Sequence, residues 1–289
     1  MNFCQGPEPV TRSPNFALPK NSTDCHLHVC GPEKKYPYIP ERIYTPPDAL
    51  LSVYTTLMNT LCLERAVLVQ PSVYGTDNQL LLDTLATNPS KYRGVAVVKE
   101  NITDHEIEKM HLAGVRGLRC NIVDLADNKG VLPLPSLNLL AEKIKSYGWH
   151  IELLMHVNEF PDFANAFKNF SVPIVLGHYG YQKTSIDIKN KGFQNLLALM
   201  REGKAWVKLT GLYRISESGY PFADVERLAV TLIEANPNQL VWGSDWPHVM
   251  VKNKMPNDTD MLNIVGSWVK DKRLRQKIFV TNPKDLYDF

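Results

Sequence analysis

The chain has 289 residues, of which 44% are hydrophobic and 21% charged, and its formal net charge is +2. These values predict one large soluble domain or two small ones. No block of lysine and arginine stands out, which argues against a nucleic-acid or anionic-membrane surface. No apolar run approaches the roughly 18 residues of a membrane-spanning helix, and the first residues lack the apolar core of a secretory signal.

The cysteine pattern bears on the compartment. Five cysteines at irregular spacing do not fit a disulfide framework, so we expect reduced thiols and a cytoplasmic protein. Cys25 and Cys30 flank a pair of histidines. We interpret them as small hydrophobic residues of a barrel wall rather than as ligands.

The first ordered stretch carries two histidines. Residues 1–22, rich in proline and asparagine, are expected to form an N-terminal arm on the surface. The strand at about 23–30 follows, and in a strand residues two apart point to the same face. His26 and His28 should therefore project together, with Asp24 on that face as well. Two imidazoles side by side suit a metal ion, or a substrate carbonyl that must be polarised.

The next stretch combines a loop with a predicted helix start. The loop 31–40 contains three prolines, and a long loop after a strand is usually functional. Tyr44, just beyond it, is expected either to line a pocket or to pack as an anchor. Thr45-Pro46-Pro47 predicts a helix start, with Thr45 as N-cap. At 103–106, Thr-Asp-His-Glu predicts a capping box.

Apolar strands and amphipathic helices alternate along the rest of the chain. Near-continuous apolar strands are typical of parallel sheets covered on both faces. We expect strands near 23–30, 65–71, 92–98, 115–122, 150–156, 172–178, 205–211 and 240–247. We expect helices near 45–61, 78–87, 103–114, 137–147, 162–170, 193–201, 222–235, 261–270 and 271–280.

This alternation predicts the fold. Eight strand–helix units indicate an α/β protein, a single-domain (β/α)8 TIM barrel over residues 23–289. The alternative is a doubly wound open sheet. It would place a glycine-rich phosphate loop after the first strand, where this chain reads Cys-Gly-Pro-Glu.

Polar residues interrupt the apolar strands at their carboxyl ends, where barrel active sites lie. An unpaired buried charge is costly, so packing alone gives no reason for these residues. We expect the following to share one rim: His26, His28, Ser72, Arg119, Asn121, His156, His178, Tyr213, Arg214, Ser244, Asp245 and His248.

The histidines and the aspartate of this rim support two alternatives. His26, His28, His178 and Asp245 can bind one divalent ion such as Zn²⁺ through three nitrogens and an oxygen. Without a metal, Asp245 can act as general base on water while the imidazoles polarise a carbonyl.

Other rim residues are candidates for substrate binding. Arg119 and Arg214 offer fork-shaped donors for a substrate carboxylate, although an ion pair within the barrel mouth is the alternative for Arg119. Ser72 could contact substrate or only form its turn. His156 belongs either to the pocket or behind it. His248 is expected to orient the aspartate near it.

Several segments together resemble a known family. Asp24-Cys-His-Leu-His28, Leu-Gly-His178 and Leu240-Val-Trp-Gly-Ser-Asp-Trp-Pro-His248 resemble the amidohydrolase superfamily, and within it the branch of 2-pyrone-4,6-dicarboxylate hydrolase and sugar lactonases. The resemblance extends over the chain from about residue 22. It implies hydrolysis of the lactone ring of a small carboxylated molecule. Asp245 would activate water, His26, His28 and His178 would polarise the carbonyl, and Arg119 and Arg214 would hold carboxylate.

The resemblance leaves the metal and the substrate open. Several members of this branch work without a metal although they keep the ligand set. The usual strand-four lysine for a carbamate is absent, which implies one ion at most. The resemblance implies that the dicarboxylate hydrolases use a further arginine just after strand four. In this chain the corresponding loop, residues 123–129, has two acids and no arginine. A sugar-acid or another monoanionic lactone is therefore an alternative substrate.

Two rival functions remain. A metal-dependent decarboxylase of an aromatic or muconate-type acid would have a similar site with a tightly held metal. A non-catalytic binding protein would be expected to have lost Asp245 or one of the histidines, and none is lost. The expected partners are a small-molecule substrate and, as an open alternative, a second copy of the chain in a homo-oligomer.

Overall fold

The computed structural model describes residues 2–123, 131–251 and 254–289. The strands are β1 (Asn2–Phe3), β2 (Thr23–Leu27), β3 (Tyr44–Thr45), β4 (Arg65–Val69), β5 (Tyr92–Ala96), β6 (Val115–Asn121), β7 (His150–Leu154), β8 (Ile174–Leu176), β9 (Ala205–Leu209) and β10 (Leu240–Trp242). The α-helices are α1 (Leu51–Thr60), α2 (Gln79–Thr87), α3 (Asp104–Leu112), α4 (Leu134–Ile144), α5 (Phe163–Phe167), α6 (Lys191–Arg201), α7 (Leu212–Ile215), α8 (Glu226–Ala235), α9 (Asp258–Trp268), α10 (Lys272–Gln276) and α11 (Asn282–Tyr287). None of the helices in these ranges has the length and apolar character needed to cross a bilayer.

Eight of the described strands form one parallel sheet, in the order β2, β4, β5, β6, β7, β8, β9 and β10. The chain after β10 closes the sheet against β2. There the Asp245 amide donates to the His26 carbonyl at 2.8 Å, and the His28 amide donates to the Trp246 carbonyl at 2.8 Å. The structure confirms the predicted single-domain (β/α)8 TIM barrel. We call this closing contact between residues 26–28 and residues 245–246 the seam of the barrel. It is built from segments that carry the predicted site.

A small apolar cluster lies inside the barrel. Cys25 packs there in a cluster with Val67, Val95 and Tyr287, the last of these from α11. This agrees with the interpretation of Cys25 as a wall residue. The C-terminus is held nearby because the Arg93 guanidinium donates to the Asp288 carbonyl at 2.7 Å. Helix α11 thereby becomes part of the barrel interior.

The predicted helix start at Thr45 is wrong. Residues 44–45 form β3, which pairs in parallel with β1, and α1 begins at Leu51. The Thr45 hydroxyl accepts from Arg42 Nε at 3.0 Å, and its carbonyl accepts from the Cys4 amide at 2.9 Å. These contacts make Thr45 part of a strand pair. By contrast, the capping box of Thr103 and Glu106 is present as predicted.

The prediction that Asp24 shares a face with His26 and His28 is also wrong. The register of β2 against β4 shifts between Asp24 and Leu27, and such an irregularity breaks the two-residue alternation of a strand. Asp24 accepts hydrogen bonds from the Ser244 hydroxyl at 2.6 Å and the Ser244 amide at 2.9 Å. Tyr54 of α1 donates to the same carboxylate at 3.0 Å. Asp24 therefore braces the barrel seam from behind.

Gly243 generates the first testable prediction, because the seam leaves no room for a side chain there. A Cβ at Gly243 would lie 2.6 Å from His26 Cβ and 2.7 Å from His26 N. We expect Gly243→Ala to lower the free energy of unfolding by about 1–3 kcal/mol in urea titrations, since the backbone of β2 must shift.

Gly6→Ala is the matched control, because its added Cβ meets only Pro47 Cγ at 4.0 Å. We expect that variant to change stability by less than about 0.5 kcal/mol. Equal stability of the two variants would contradict a tight seam.

Candidate active site

Asp245 lies at the centre of the rim, fully buried. Its backbone has a positive φ of 67°, an unfavourable conformation for a residue with a side chain, and such strain is often found at functional sites. One carboxylate oxygen, Oδ2, accepts from Tyr213 Oη at 2.5 Å and from Arg214 Nε at 2.5 Å. These two donors fix the carboxylate and leave the other oxygen, Oδ1, facing the histidines.

The three predicted histidines surround this carboxylate. His26 Nε2 lies 3.6 Å and His28 Nε2 3.8 Å from Asp245 Oδ1, and His178 Nδ1 lies 4.0 Å from Oδ2. The ring of His26 is 5.0 Å from those of both His28 and His178. The structure therefore brings together all four residues expected at the centre of the site.

Contacts with backbone carbonyls fix the tautomers of two of the imidazoles. His28 Nδ1 lies 2.8 Å from the Val69 carbonyl, and His178 Nδ1 lies 3.3 Å from the Thr210 carbonyl. Because a carbonyl oxygen only accepts, each Nδ1 carries the hydrogen and each Nε2 of a neutral ring keeps a lone pair.

Burial keeps these rings neutral. Desolvation, reinforced by the charge of Arg119, lowers the pKa of His28 to about 3. Desolvation also lowers the pKa of His178 to about 4, against the opposing charge of Asp245. Both rings are consequently uncharged at neutral pH and act as acceptors.

Asp245 is ionised at neutral pH. Burial alone would raise the pKa of this carboxyl, but the positive charge of Arg214 outweighs burial and holds the pKa well below its usual value. The centre of the site is therefore an anion held between one guanidinium group and neutral rings.

A pocket opens onto these groups. Its lining residues are His28, Tyr44, Ser72, Arg119, Leu154, His178, Arg214, Val249 and Met250. The predicted substrate-binding residues Tyr44, Ser72, Arg119 and Arg214 are thus placed beside the histidines. Arg119 is mostly buried and donates from Nη1 to the Gln70 carbonyl at 2.9 Å, while its Nε has no hydrogen-bond partner within the described residues.

Two predicted rim histidines lie behind the pocket. His156 packs edge-on against Tyr181 with ring centroids 4.9 Å apart, and it is not among the described lining residues. His248 donates its amide to the Asp245 carbonyl at 2.8 Å, while its ring lies 3.0 Å from Asp258 Oδ1. His248 therefore contacts Asp245 through the main chain. The loop 123–129, which contains no arginine, lies outside the described residues except for Val123.

The sequence reasoning missed two residues of the site and the role of a third. Tyr213 was placed on the rim without a role, and it donates to Asp245. Glu152 of β7 and Lys208 of β9 were not considered, yet they are buried and their side chains lie 2.5 Å apart, next to His26. The sequence did contain a signal for these two residues. Each is a lone charged residue inside an apolar strand, in His-Ile-Glu-Leu-Leu and in Ala-Trp-Val-Lys-Leu.

The lowered pKa values of His28 and His178 predict the acid side of the pH profile. Histidines with pKa values of about 3 and 4 are almost entirely neutral above pH 5, and the first of them to protonate, His178, is half protonated only at about pH 4. We expect kcat/KM to show no acid limb near pH 6.5 from these rings. An acid limb near pH 6.5 that disappears in His178→Asn would contradict this assignment.

Histidines and an aspartate at the carboxyl ends of the strands of a parallel (β/α)8 barrel occupy the position of the active site in barrel enzymes. Comparison with known sequences identifies the family. The sequence pattern of the amidohydrolase family matches residues 23–289, and the chain belongs to this family.

Individual relatives point the same way. The chain is 35% identical over 286 residues to 4-sulfomuconolactone hydrolase of Rhizobium radiobacter, with 98% of this chain and 95% of the relative covered. It is 34% identical to 2-pyrone-4,6-dicarboxylate hydrolase of Comamonas testosteroni, with 95% and 92% covered.

A solved structure from Acinetobacter baumannii, described as a "probable 2-pyrone-4,6-dicarboxylic acid hydrolase" with citric acid bound, has a TM-score of 0.82 at 25% identity. The alignment covers 93% of this chain and 100% of that one. The predicted resemblance to the lactonase branch is confirmed, and the names of these relatives support a hydrolase of cyclic esters.

Proposed function

We propose that this protein hydrolyses the lactone ring of a small carboxylated molecule, either 2-pyrone-4,6-dicarboxylate-like or a sugar-acid lactone. The observation that carries this proposal is the arrangement around one pocket. Two imidazoles and two guanidinium groups line the pocket, and the ionised carboxylate of Asp245 and the third imidazole, His26, lie directly against them. Ester hydrolysis needs an activated water and a stabilised charge on the carbonyl oxygen. This pocket offers groups for both.

Asp245 is the group that we assign to water activation. Tyr213 and Arg214 hold Oδ2, so Oδ1 is free to accept a proton from a water beside the lactone carbonyl. A carboxylate with a low pKa is a weak base. Stabilisation of the developing oxyanion must therefore supply much of the rate enhancement.

Arg119 is the group that we assign to the substrate carboxylate. Its Nε is buried and unpaired among the described residues, and a guanidinium binds a carboxylate through two parallel hydrogen bonds. Arg214 lines the same pocket but already donates to Asp245. Ser72 and Tyr44 would contribute hydroxyl contacts, and His156 would support the pocket from behind Tyr181.

The site also fits one divalent ion such as Zn²⁺. Ligand atoms of His26, His28 and Asp245 all lie within 4.8 Å of one another, and His178 lies beside them. His26 Nε2 and Asp245 Oδ1 are buried without a hydrogen-bond partner among the described residues. A bound ion would polarise the carbonyl and lower the pKa of a water. Without an ion, polarisation falls to the guanidinium groups and to any imidazole that presents an N–H.

The experiment that tests the proposal combines metal analysis with lactone hydrolysis before and after chelation. The substrates are 4-sulfomuconolactone, 2-pyrone-4,6-dicarboxylate and sugar-acid lactones. One Zn²⁺ per chain with activity lost on chelation would support the ion. A metal-free protein that hydrolyses a lactone would assign catalysis to the side chains alone. Absence of hydrolysis in both states would overturn the proposal, and decarboxylation of an aromatic acid would support the alternative.

Asp245→Asn gives a second prediction. The amide keeps the shape of the side chain but cannot accept a proton from water, so we expect kcat to fall by about 10³-fold or more. Circular dichroism and thermal unfolding should show an intact fold.

Asp162→Asn is the control, since it makes the same change at an exposed position whose side chain lies 3.8 Å from Lys191. A near wild-type rate for Asp245→Asn would remove Asp245 from its role.

The organisation and location of the chain also remain proposals. We propose an N-terminal arm over residues 1–22, a barrel over 23–289, a small-molecule substrate and assembly into a homo-oligomer. All five cysteines are free thiols, which supports a cytoplasmic location.

A further inference from the structure

A buried ion pair lies beside Nδ1 of His26. Lys208 Nζ is 2.5 Å from Glu152 Oε2, and both side chains are almost completely buried in the barrel. The Tyr287 ring lies on another side of the ammonium, with its centroid 5.7 Å from Nζ. The proposed mechanism, in which Asp245 activates water, gives no role to Lys208 or Glu152.

The hydrogen-bonding capacity of Lys208 determines what it does to His26. An ammonium group has three N–H donors and no acceptor. In the described part of the chain, Nζ has the Cys25 carbonyl at 2.8 Å and His26 Nδ1 at 3.3 Å within hydrogen-bonding reach, and its ion pair with Glu152 Oε2 takes up a third side of the ammonium. No solvent reaches this side chain. The third N–H therefore has His26 Nδ1 as its acceptor.

Glu152 competes for the same nitrogen. Its Oε1 lies 3.4 Å from His26 Nδ1 and would accept a hydrogen if that nitrogen carried one. In that case the third N–H of Lys208 would lose its acceptor and face an N–H instead. A buried donor without a partner costs about 1–3 kcal/mol, so this arrangement disfavours a hydrogen on Nδ1.

We propose that Lys208, held in place by Glu152, is a positioning residue that fixes His26 in the form with its hydrogen on Nε2. His26 then presents an N–H toward the position of the lactone carbonyl oxygen, whereas Nε2 of His28, at a similar distance from Asp245 Oδ1, presents a lone pair. The role of this N–H in stabilising the oxyanion rests on the proposed function, but the position of the hydrogen does not.

The surroundings agree with a neutral His26. Burial, followed by the charge of Lys208, lowers the pKa of His26 well below its usual value, against the opposing effect of Glu152. The Nε2 atom has no protein partner within the described residues and faces Asp245 Oδ1 at 3.6 Å. An N–H in this place can bond to a substrate oxygen or to a water bound beside Asp245.

The same arrangement affects ion binding. A metal ligand must offer a lone pair, so His26 would have to carry its hydrogen on Nδ1, with Glu152 Oε1 as acceptor. Lys208 opposes that form. Replacement of Lys208 by methionine, which has a similar length and no charge, should therefore favour binding of Zn²⁺.

The test is nitrogen NMR of the chelator-treated full-length protein labelled with ¹⁵N-histidine, with His26 assigned from the signals lost in His26→Asn. We expect wild-type His26 to carry its hydrogen on Nε2, and Lys208→Met to move it to Nδ1. In lactone hydrolysis, Lys208→Met should lower kcat by about 10²-fold, comparable to the loss of an oxyanion donor, with KM changed less than about threefold.

Glu152→Gln is the matched variant, since the amide oxygen can still accept from Lys208 and the hydrogen of His26 should stay on Nε2. The wild-type spectrum alone overturns the proposal if the hydrogen is found on Nδ1, even if neither variant folds. It is also overturned if Lys208→Met leaves both the His26 spectrum and kcat unchanged. Absence of lactone hydrolysis with the expected spectrum would contradict the proposed function only.

Discussion

The rest of the structure depends on the seam where the barrel closes. Two main-chain hydrogen bonds join β2 to the segment after β10, and their four residues include His26, His28 and Asp245. The hydrogen bonds that close the sheet therefore also set the distances between the two imidazoles and the carboxylate of Asp245. Asp24 secures the seam from behind through Ser244. In this protein the geometry of the site is a direct consequence of the way the fold closes.

Burial of this seam imposes an electrostatic constraint. A buried charge without a partner is strongly destabilising, and the two carboxylates that face the histidines each have a cation: Asp245 pairs with Arg214, and Glu152 pairs with Lys208. The same desolvation that makes charges expensive keeps the imidazoles neutral. The site consequently presents fixed anions, fixed cations and uncharged rings, and it offers both donors and acceptors to a substrate.

The sequence predicted the barrel and its rim because polar residues at the ends of apolar strands give a clear signal, as at His178 and Asp245. It could not predict the irregularity that turns Asp24 away from His26, since register depends on the partner strand. It also missed Glu152 and Lys208. Each is a single charge in a short apolar strand, and only the closed barrel shows that they meet inside rather than face solvent.

The three histidines show why a motif alone does not define a mechanism. His28 and His178 lie against backbone carbonyls, which accept a hydrogen from Nδ1. His26 lies against an ammonium, which donates to Nδ1. The group in contact with Nδ1 of each ring thus decides whether the other ring nitrogen, Nε2, is a donor or an acceptor. Identical residues in one cluster become chemically different through contacts that come from distant strands.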